Sequence, residues 1–170
     1  MTSDQRAVAI GAVSGIVTMI LSLWLLYSVL PNPELFSLAD RLAYALKWDA
    51  VAVLPLIAMF AAIGNARALG EAIDPTLGKE DARMLINGKV AANTVEQYLL
   101  FLVGSLALAA AVEGPKVKII GAAAITFIIM RIAFWIGYRI KPVHRAFGFA
   151  STFYMNLGLL VGAIWLGFGL

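Results

Sequence analysis

The chain has no cysteine and few charged residues for its length. Its 170 residues include one histidine, and 14% are charged whereas 62% are hydrophobic. The absence of cysteine excludes disulfides, thiolate metal sites and a cysteine nucleophile. Because about a quarter of the residues in an ordinary soluble domain are charged, this composition excludes both a soluble globule and an intrinsically disordered chain. The sequence therefore predicts a protein whose main solvent is lipid.

The charge pattern narrows the possible partners further. Thirteen Lys and Arg residues against ten Asp and Glu residues leave a formal net charge of +3. The basic residues stand between apolar runs and form no block of the kind that binds nucleic acid, so we expect no nucleic-acid partner. His144 has no carboxylate at ligand spacing, so we expect no metal site either. The expected partner of the chain is therefore the lipid bilayer.

Five apolar runs are long enough to cross a bilayer, which takes about 20 helical residues. They cover approximately residues 7–30, 50–67, 84–112, 117–141 and 147–170. Pro55 predicts a kink in the second run. Residues 35–47 carry leucine and alanine at helical spacing among charged residues, which predicts a short amphipathic helix lying in the membrane interface. The predicted fold class is an all-α integral membrane protein with five spans.

The distribution of basic residues predicts an orientation. Eight lie on one side of the predicted spans, namely Arg6, Arg67, Lys79, Arg83, Lys89, Arg139, Lys141 and Arg145. Four lie on the other side, namely Arg41, Lys47, Lys116 and Lys118. Because cytosolic loops carry the excess of Lys and Arg, we expect a cytosolic N-terminus and, with five spans, a C-terminus outside.

Two predicted spans contain ionisable side chains. Lys89, Asn93 and Glu96 share one face of the third predicted helix, and Arg131 and Tyr138 share one face of the fourth. A rise of about 1.5 Å per residue places Glu96 and Arg131 at about the same depth. Two interpretations remain open: a buried ion pair that fixes the helix register, or a pocket for an anion with more than one carboxylate, which the surplus of basic residues nearby favours.

Three stretches of this sequence resemble one family. The segment KVAANTVEQY, residues 89–98, is similar to the second-helix signature of the MAPEG family, the membrane-associated proteins in eicosanoid and glutathione metabolism. Arg131, Tyr138 and Arg145 resemble its third helix and the loop after it, and Arg67 stands where the family has an arginine at the end of its first helix. The resemblance implies a MAPEG-like four-helix domain over residues 49–170. Residues 1–48 would then add an extra transmembrane helix and the interfacial helix.

The resemblance also implies a function. It suggests a homotrimer that binds glutathione as co-substrate between subunits near the cytosolic face. The residues expected to bind glutathione are Arg67, Lys89, Asn93, Glu96, Arg131 and Tyr138. Arg145 is the expected catalytic residue, because a guanidinium beside the thiol favours the nucleophilic thiolate. The second substrate would be a lipophilic small molecule with an electrophilic centre.

Two departures from the family pattern keep other functions open. Phe134 stands where several members have Tyr or His, and Lys89 replaces an arginine, giving a point charge where a bidentate fork is common. The alternative is a non-catalytic MAPEG-like protein that binds lipids or other proteins, with its first span as a docking element. A transporter subunit is disfavoured, because no span shows the paired broken helices of an inverted-repeat carrier.

Overall fold

The computed structural model describes residues 1–34 and 37–169, and within that part it contains helices and short connections but no strand. The helices are α1 (Ser3–Val29), α2 (Leu38–Ala52), α3 (Leu54–Ala68), α4 (Ala82–Ala111), α5 (Lys118–Ile140) and α6 (Arg145–Phe168). Five segments are long and apolar enough to cross a membrane, with α2 and α3 counted together as the span Leu38–Ala68. The predicted all-α membrane fold with five spans is confirmed.

Helix α1 packs along the bundle with one narrow face. It begins with a capping box in which Thr2 and Gln5 exchange side-chain and backbone hydrogen bonds, which satisfies the free N–H groups of its first turn. Gly15 and Met19 are buried against the bundle, mainly against α6 and α5. The Ser22 hydroxyl shares a hydrogen bond of 2.9 Å with the Thr126 hydroxyl of α5. Most of the remaining surface of α1 is apolar and exposed, as expected for a helix that faces lipid on its other sides.

Helix α2 differs in position from the predicted interfacial helix. Its first two predicted residues, Leu35 and Phe36, lie outside the described residues. From Leu38 onwards it packs against α4 and α5, with Ala45 and Ala52 fully buried, and it leads directly into α3. This segment therefore forms the first half of the second span. The predicted domain boundary between residues 48 and 49 falls inside α2, and the division of the chain there stays a prediction.

The predicted kink at Pro55 is confirmed as a break between two helices. Val53 separates α2 from α3, and Pro55 is the second residue of α3. Proline is well tolerated there, because the N–H groups of a first helical turn have no intrahelical acceptor. Both halves of the span pack on α4 on either side of the break.

Helices α4, α5 and α6 form the centre of the bundle. Phe101 of α4 and Phe127 of α5 are fully buried, with ring centroids 4.9 Å apart, in the main apolar core. Gly148 of α6 lies against the backbone of α5, where a Cβ atom would collide with the Met130 carbonyl oxygen and lie 2.6 Å from the Phe134 nitrogen. Glycine is required at this position because α5 and α6 approach so closely. This contact fixes the first turns of α6 against α5.

Polar side chains are also buried inside the bundle. The Ser105 hydroxyl of α4 donates a hydrogen bond of 2.7 Å to one carboxyl oxygen of Asp49, which is buried in α2. The Tyr98 hydroxyl donates to the backbone carbonyl of Asp49 at 3.1 Å. The Asn156 side-chain amide of α6 donates to both the backbone and the side-chain oxygen of Gln97 at 2.9 and 3.0 Å. These bonds join α2 and α6 to α4 at a depth where lipid offers no hydrogen-bond partner.

Replacing Ser105 by alanine is expected to lower the free energy of unfolding by about 1–3 kcal/mol, because the buried Asp49 carboxyl then loses a hydrogen-bond donor. Denaturant unfolding in micelles, followed by circular dichroism, measures this change. Ser28→Ala is the matched control, since the exposed Ser28 hydroxyl bonds to the carbonyl of Trp24 in its own helix. Its loss should change stability by less than about 0.5 kcal/mol. Equal effects of the two substitutions would contradict a stabilising role for the Asp49 contact.

Candidate functional site

A cavity opens between α4, α5 and α6 at the end of the bundle where α1 begins. Its volume is about 370 Å³, within the usual range for small-molecule sites. Its lining consists of Lys89, Asn93, Phe134, Tyr138, Arg145 and Phe149. The structure therefore brings four of the seven predicted site residues into one cavity. The other three, Arg67, Glu96 and Arg131, do not line it.

Arg145 and Tyr138 form the polar wall of this cavity. Arg145 is the first residue of α6, directly after the short 3₁₀ turn Pro142–His144, and Tyr138 lies in the last turn of α5. The Arg145 guanidinium donates a hydrogen bond of 3.0 Å to the Tyr138 hydroxyl, and its central carbon lies 5.1 Å from the centre of the Tyr138 ring. Arg145 is otherwise exposed, whereas Tyr138 is buried. The pair presents a fixed cation at the edge of the cavity.

Arg131 lies behind the cavity wall and bonds to Asn93. It is 0% exposed, and one of its terminal nitrogens donates a hydrogen bond of 3.1 Å to the Asn93 side-chain oxygen. The Asn93 amide nitrogen in turn donates to a carboxylate oxygen of Glu96 at 3.2 Å. The guanidinium also stacks on Phe134, 4.0 Å from the ring centre. Among residues 1–34 and 37–169 no ion pair joins Glu96 to Arg131. Of the two interpretations left open, the buried ion pair is therefore not found within the chain, and Asn93 connects the two side chains instead.

Arg67 lies in a neighbouring cavity between α3 and α4. This second cavity has a volume of about 510 Å³, and Lys89 lines both cavities. Arg67 forms an ion pair of 3.2 Å with Glu80, from the loop before α4. Within one chain, Arg67 is therefore separated from the cavity that contains Arg145.

Further aromatic side chains add to the site, and two of them, Phe149 and Phe153, were not singled out from the sequence. Trp135 donates a hydrogen bond of 2.9 Å to the buried Asn87 of α4, which adds a second polar contact between α4 and α5. Phe149 lines the cavity, and its ring stacks on that of Phe153 with centroids 5.9 Å apart and planes inclined by 8°. The spacing of four residues from Arg145 to Phe149 and again to Phe153 is the signal that could have revealed this aromatic row, because residues at i and i+4 share a helix face.

Comparison with known proteins decides the family. The family model of MAPEG matches residues 45–165. The chain belongs to the MAPEG family. The match begins inside α2 and includes the cavity and the helices that form it.

Two relatives of this MAPEG protein are both named transmembrane protein 79. The one from Mus musculus is 24% identical over 137 residues, which is 79% of this chain and 35% of the relative. The one from Bos taurus is also 24% identical over 137 residues, covering 79% of this chain and 34% of the relative. The chain thus spans about a third of the length of these relatives. No solved structure gives a significant match.

Proposed function

We propose that this MAPEG protein binds glutathione in the cavity of Arg145 and Tyr138 and joins the glutathione sulfur to a lipophilic electrophile in a thioether, as the electrophile loses a leaving group or takes up the thiol proton. Alternatively, two glutathione molecules are oxidised to their disulfide while a lipid hydroperoxide is reduced to its alcohol and water. The observation that carries the proposal is an arginine held by a tyrosine hydroxyl at the edge of a cavity that also presents Lys89 and Asn93. A guanidinium beside a thiol stabilises the thiolate, and thiolate is the nucleophilic form of sulfur.

The remaining site residues have roles that follow from their positions. Lys89 supplies a positive charge for a glutathione carboxylate. Asn93 is held by both Arg131 and Glu96, which fixes its orientation at the cavity wall. Glu96 is exposed beside this wall, where its carboxylate can receive the glutathione amino group. Arg131 acts through Asn93, since its own side chain is fully buried.

A lipophilic second substrate fits the apolar side of the cavity. Phe149 lines the cavity and stacks on Phe153, and both rings are more than a third exposed on the outer side of α6. The two rings make an apolar path between the surface that faces lipid and the Arg145 guanidinium. A molecule dissolved in the bilayer could reach the proposed thiolate along this path without crossing water.

A homotrimer is part of the proposal, because one chain leaves two features of the site incomplete. Glu96 is exposed within a span, where a charge facing lipid costs roughly 2.5–3.5 kcal/mol or more. Arg67 lies in a separate cavity on the outer side of α3 and α4, lined by exposed residues such as Leu85 and Val95. A neighbouring copy packed on this face would cover Glu96 and could bring a second set of basic residues to the site.

The proposed orientation predicts which loops can be labelled from each side. The chain contains no cysteine, so single cysteines at the exposed positions Glu71 and Glu113 give unambiguous signals. From the excess of basic residues we expect Glu71→Cys to be cytosolic and Glu113→Cys to be outside. An impermeant maleimide added to intact cells should label Glu113→Cys alone. Labelling of Glu71→Cys alone would reverse the orientation and remove the cytosolic supply of glutathione.

The experiment that tests the function is binding followed by turnover. Isothermal titration of the purified protein with glutathione and with S-hexylglutathione should show binding of both, with the hexyl derivative tighter because its chain can contact the aromatic side of the cavity. Native mass spectrometry of the same sample should show a trimer. Turnover of an aromatic electrophile or a lipid hydroperoxide completes the test. Absence of glutathione binding in a folded trimer would overturn the proposal.

One observation favours a second candidate, a non-catalytic protein that binds lipids or other proteins. Phe134 supplies an apolar ring to the cavity wall and stacks on Arg131, so this position offers no polar group to a bound peptide. Glutathione binding without a thiolate signal and without turnover would favour this candidate over the enzyme.

A further inference from the structure

The first turns of α6 are held between two helices. On one side Gly148 lies against the backbone of α5 at Met130 and Phe134. Next to this contact, a Cβ atom at Gly15 of α1 would collide with the Phe147 carbonyl oxygen and lie 2.8 Å from the Ser151 hydroxyl oxygen. Helix α1 therefore approaches the backbone of α6 as closely as α5 does.

Two further contacts join α1 to residues on either side of Arg145. A Cβ atom at Gly11 would lie 3.3 Å from the Cβ atom of Ala146, the residue next to Arg145. Near the start of α1, Asp4 forms an ion pair of 3.1 Å with Lys141, which directly precedes the 3₁₀ turn Pro142–His144. The ion pair and the two glycine contacts are chemically independent of each other. Together they fix both ends of the segment that carries Arg145.

We propose that α1 is a positioning element for Arg145, and that Gly15 is its principal positioning residue. This proposal rests on the proposed function, because Arg145 is taken to stabilise the glutathione thiolate. Arg145 begins α6 and reaches back seven residues along the chain to the Tyr138 hydroxyl of α5. Any movement of α6 away from α5 at this end would lengthen that hydrogen bond. Helix α1 opposes such movement, since it packs on both α5 and α6 and so joins the two helices.

Gly15→Val tests the proposal, with Gly158→Val as the matched control. Valine at Gly15 must push α1 and the first turns of α6 apart, whereas a Cβ atom at Gly158 of α6 would meet no atom of residues 1–34 and 37–169 within 4 Å. We expect Gly15→Val to change the glutathione Kd by less than about threefold, because Lys89, Asn93 and Glu96 remain in place. The thiolate fraction of bound glutathione at neutral pH, measured by ultraviolet absorbance, should fall about tenfold. An unchanged pH titration of the thiolate would overturn the proposal.

A cysteine pair tests the packing without any ligand. Because the chain has no cysteine of its own, Gly11→Cys combined with Ala146→Cys should form a disulfide in the membrane, since the Cβ separation is close to the range that disulfides adopt. Val13→Cys with Ala146→Cys is the control, as Val13 is exposed, and it should remain reduced. Disulfide formation in both pairs, or in neither, would contradict the packing of α1 on α6.

Hydrogen exchange distinguishes failure of this proposal from failure of the proposed function. If the wild-type protein binds no glutathione, the proposed function is wrong. The rate of amide hydrogen exchange in residues 142–151 then tests the role of α1 by itself. We expect Gly15→Val to raise exchange there at least fivefold while residues 54–68 of α3, which packs on α4 and α5, stay unchanged. If Gly15→Val does not fold, Asp4→Asn removes the ion pair to Lys141 and should give smaller changes in the same directions. If neither variant shows a local increase in exchange, the proposal is overturned.

Discussion

Replacing Arg145 by alanine is expected to remove the thiolate signal of bound glutathione while leaving most of the binding affinity. An adjacent cation lowers the pKa of a thiol by about one to three units. Because a thiol with its ordinary pKa of about 8.5 is already about 3% thiolate at pH 7, the thiolate fraction should fall about 8- to 30-fold. The affinity should persist because Lys89, Asn93 and Glu96 hold other parts of the peptide. Ultraviolet difference spectra over a pH series, together with calorimetry on the same samples, measure both quantities.

Two variants separate the charge of Arg145 from its orientation. Arg145→Lys keeps a cation without the planar fork, so part of the thiolate signal should remain. Tyr138→Phe removes the hydroxyl that accepts the Arg145 hydrogen bond but keeps the ring, so it should give an intermediate loss. If Arg145→Ala leaves the thiolate titration as it is in the wild type, another group stabilises the sulfur and the role given to Arg145 is wrong.

The spans could be predicted because their signal is local. Runs of about 20 apolar residues decide the choice between water and lipid by themselves, and the break near Pro55 follows from the chemistry of proline. The position of α2 could not be predicted in this way. Its charged residues indicated a helix lying at the interface, whereas contacts with α4 and α5, distant in sequence, bury Ala45 and Ala52.

The spacing of residues in the sequence left the partner of Arg131 open for a geometric reason. The rise per residue places Glu96 and Arg131 at the same depth but says nothing about rotation around the helix axes. Residues three apart on a helix share a face but differ by about 60° in direction, so their spacing does not decide whether Asn93 or Glu96 bonds to Arg131. Asn93 points at Arg131, while Glu96 is exposed and bonds to Asn93.

The buried carboxyl of Asp49 shows a second limit of sequence analysis. Asp49 stands at the start of a predicted apolar run, where an acidic residue normally marks the membrane boundary. Its burial depends on Ser105 and Tyr98, more than 45 residues further along the chain. No periodicity in the sequence near Asp49 indicates that pairing, so only the packing of α2 on α4 could reveal it.

Replacing Asn93 by leucine is expected to lower the free energy of unfolding by about 3–5 kcal/mol. Asn93 is the side chain that accepts a hydrogen bond from the fully buried Arg131, and a buried charge deprived of its partner is strongly destabilising. Asn87→Leu is the matched control on the same helix, because the buried Asn87 also bonds across to α5 but its partner is the neutral Trp135. The control should cost only about 1–3 kcal/mol.

Denaturant titration of both variants in the same micelles measures this difference. Asn93→Asp adds a third case, since a carboxylate there faces Arg131 and should preserve stability better than leucine, although it also faces Glu96. Glutathione binding should be lost in Asn93→Leu even where the protein remains folded, because the cavity wall then lacks the group that Arg131 and Glu96 orient. Equal destabilisation by Asn93→Leu and Asn87→Leu would mean that Asn93 does not stabilise the buried Arg131 charge. The role given to Asn93 in connecting Arg131 to the site would then be wrong.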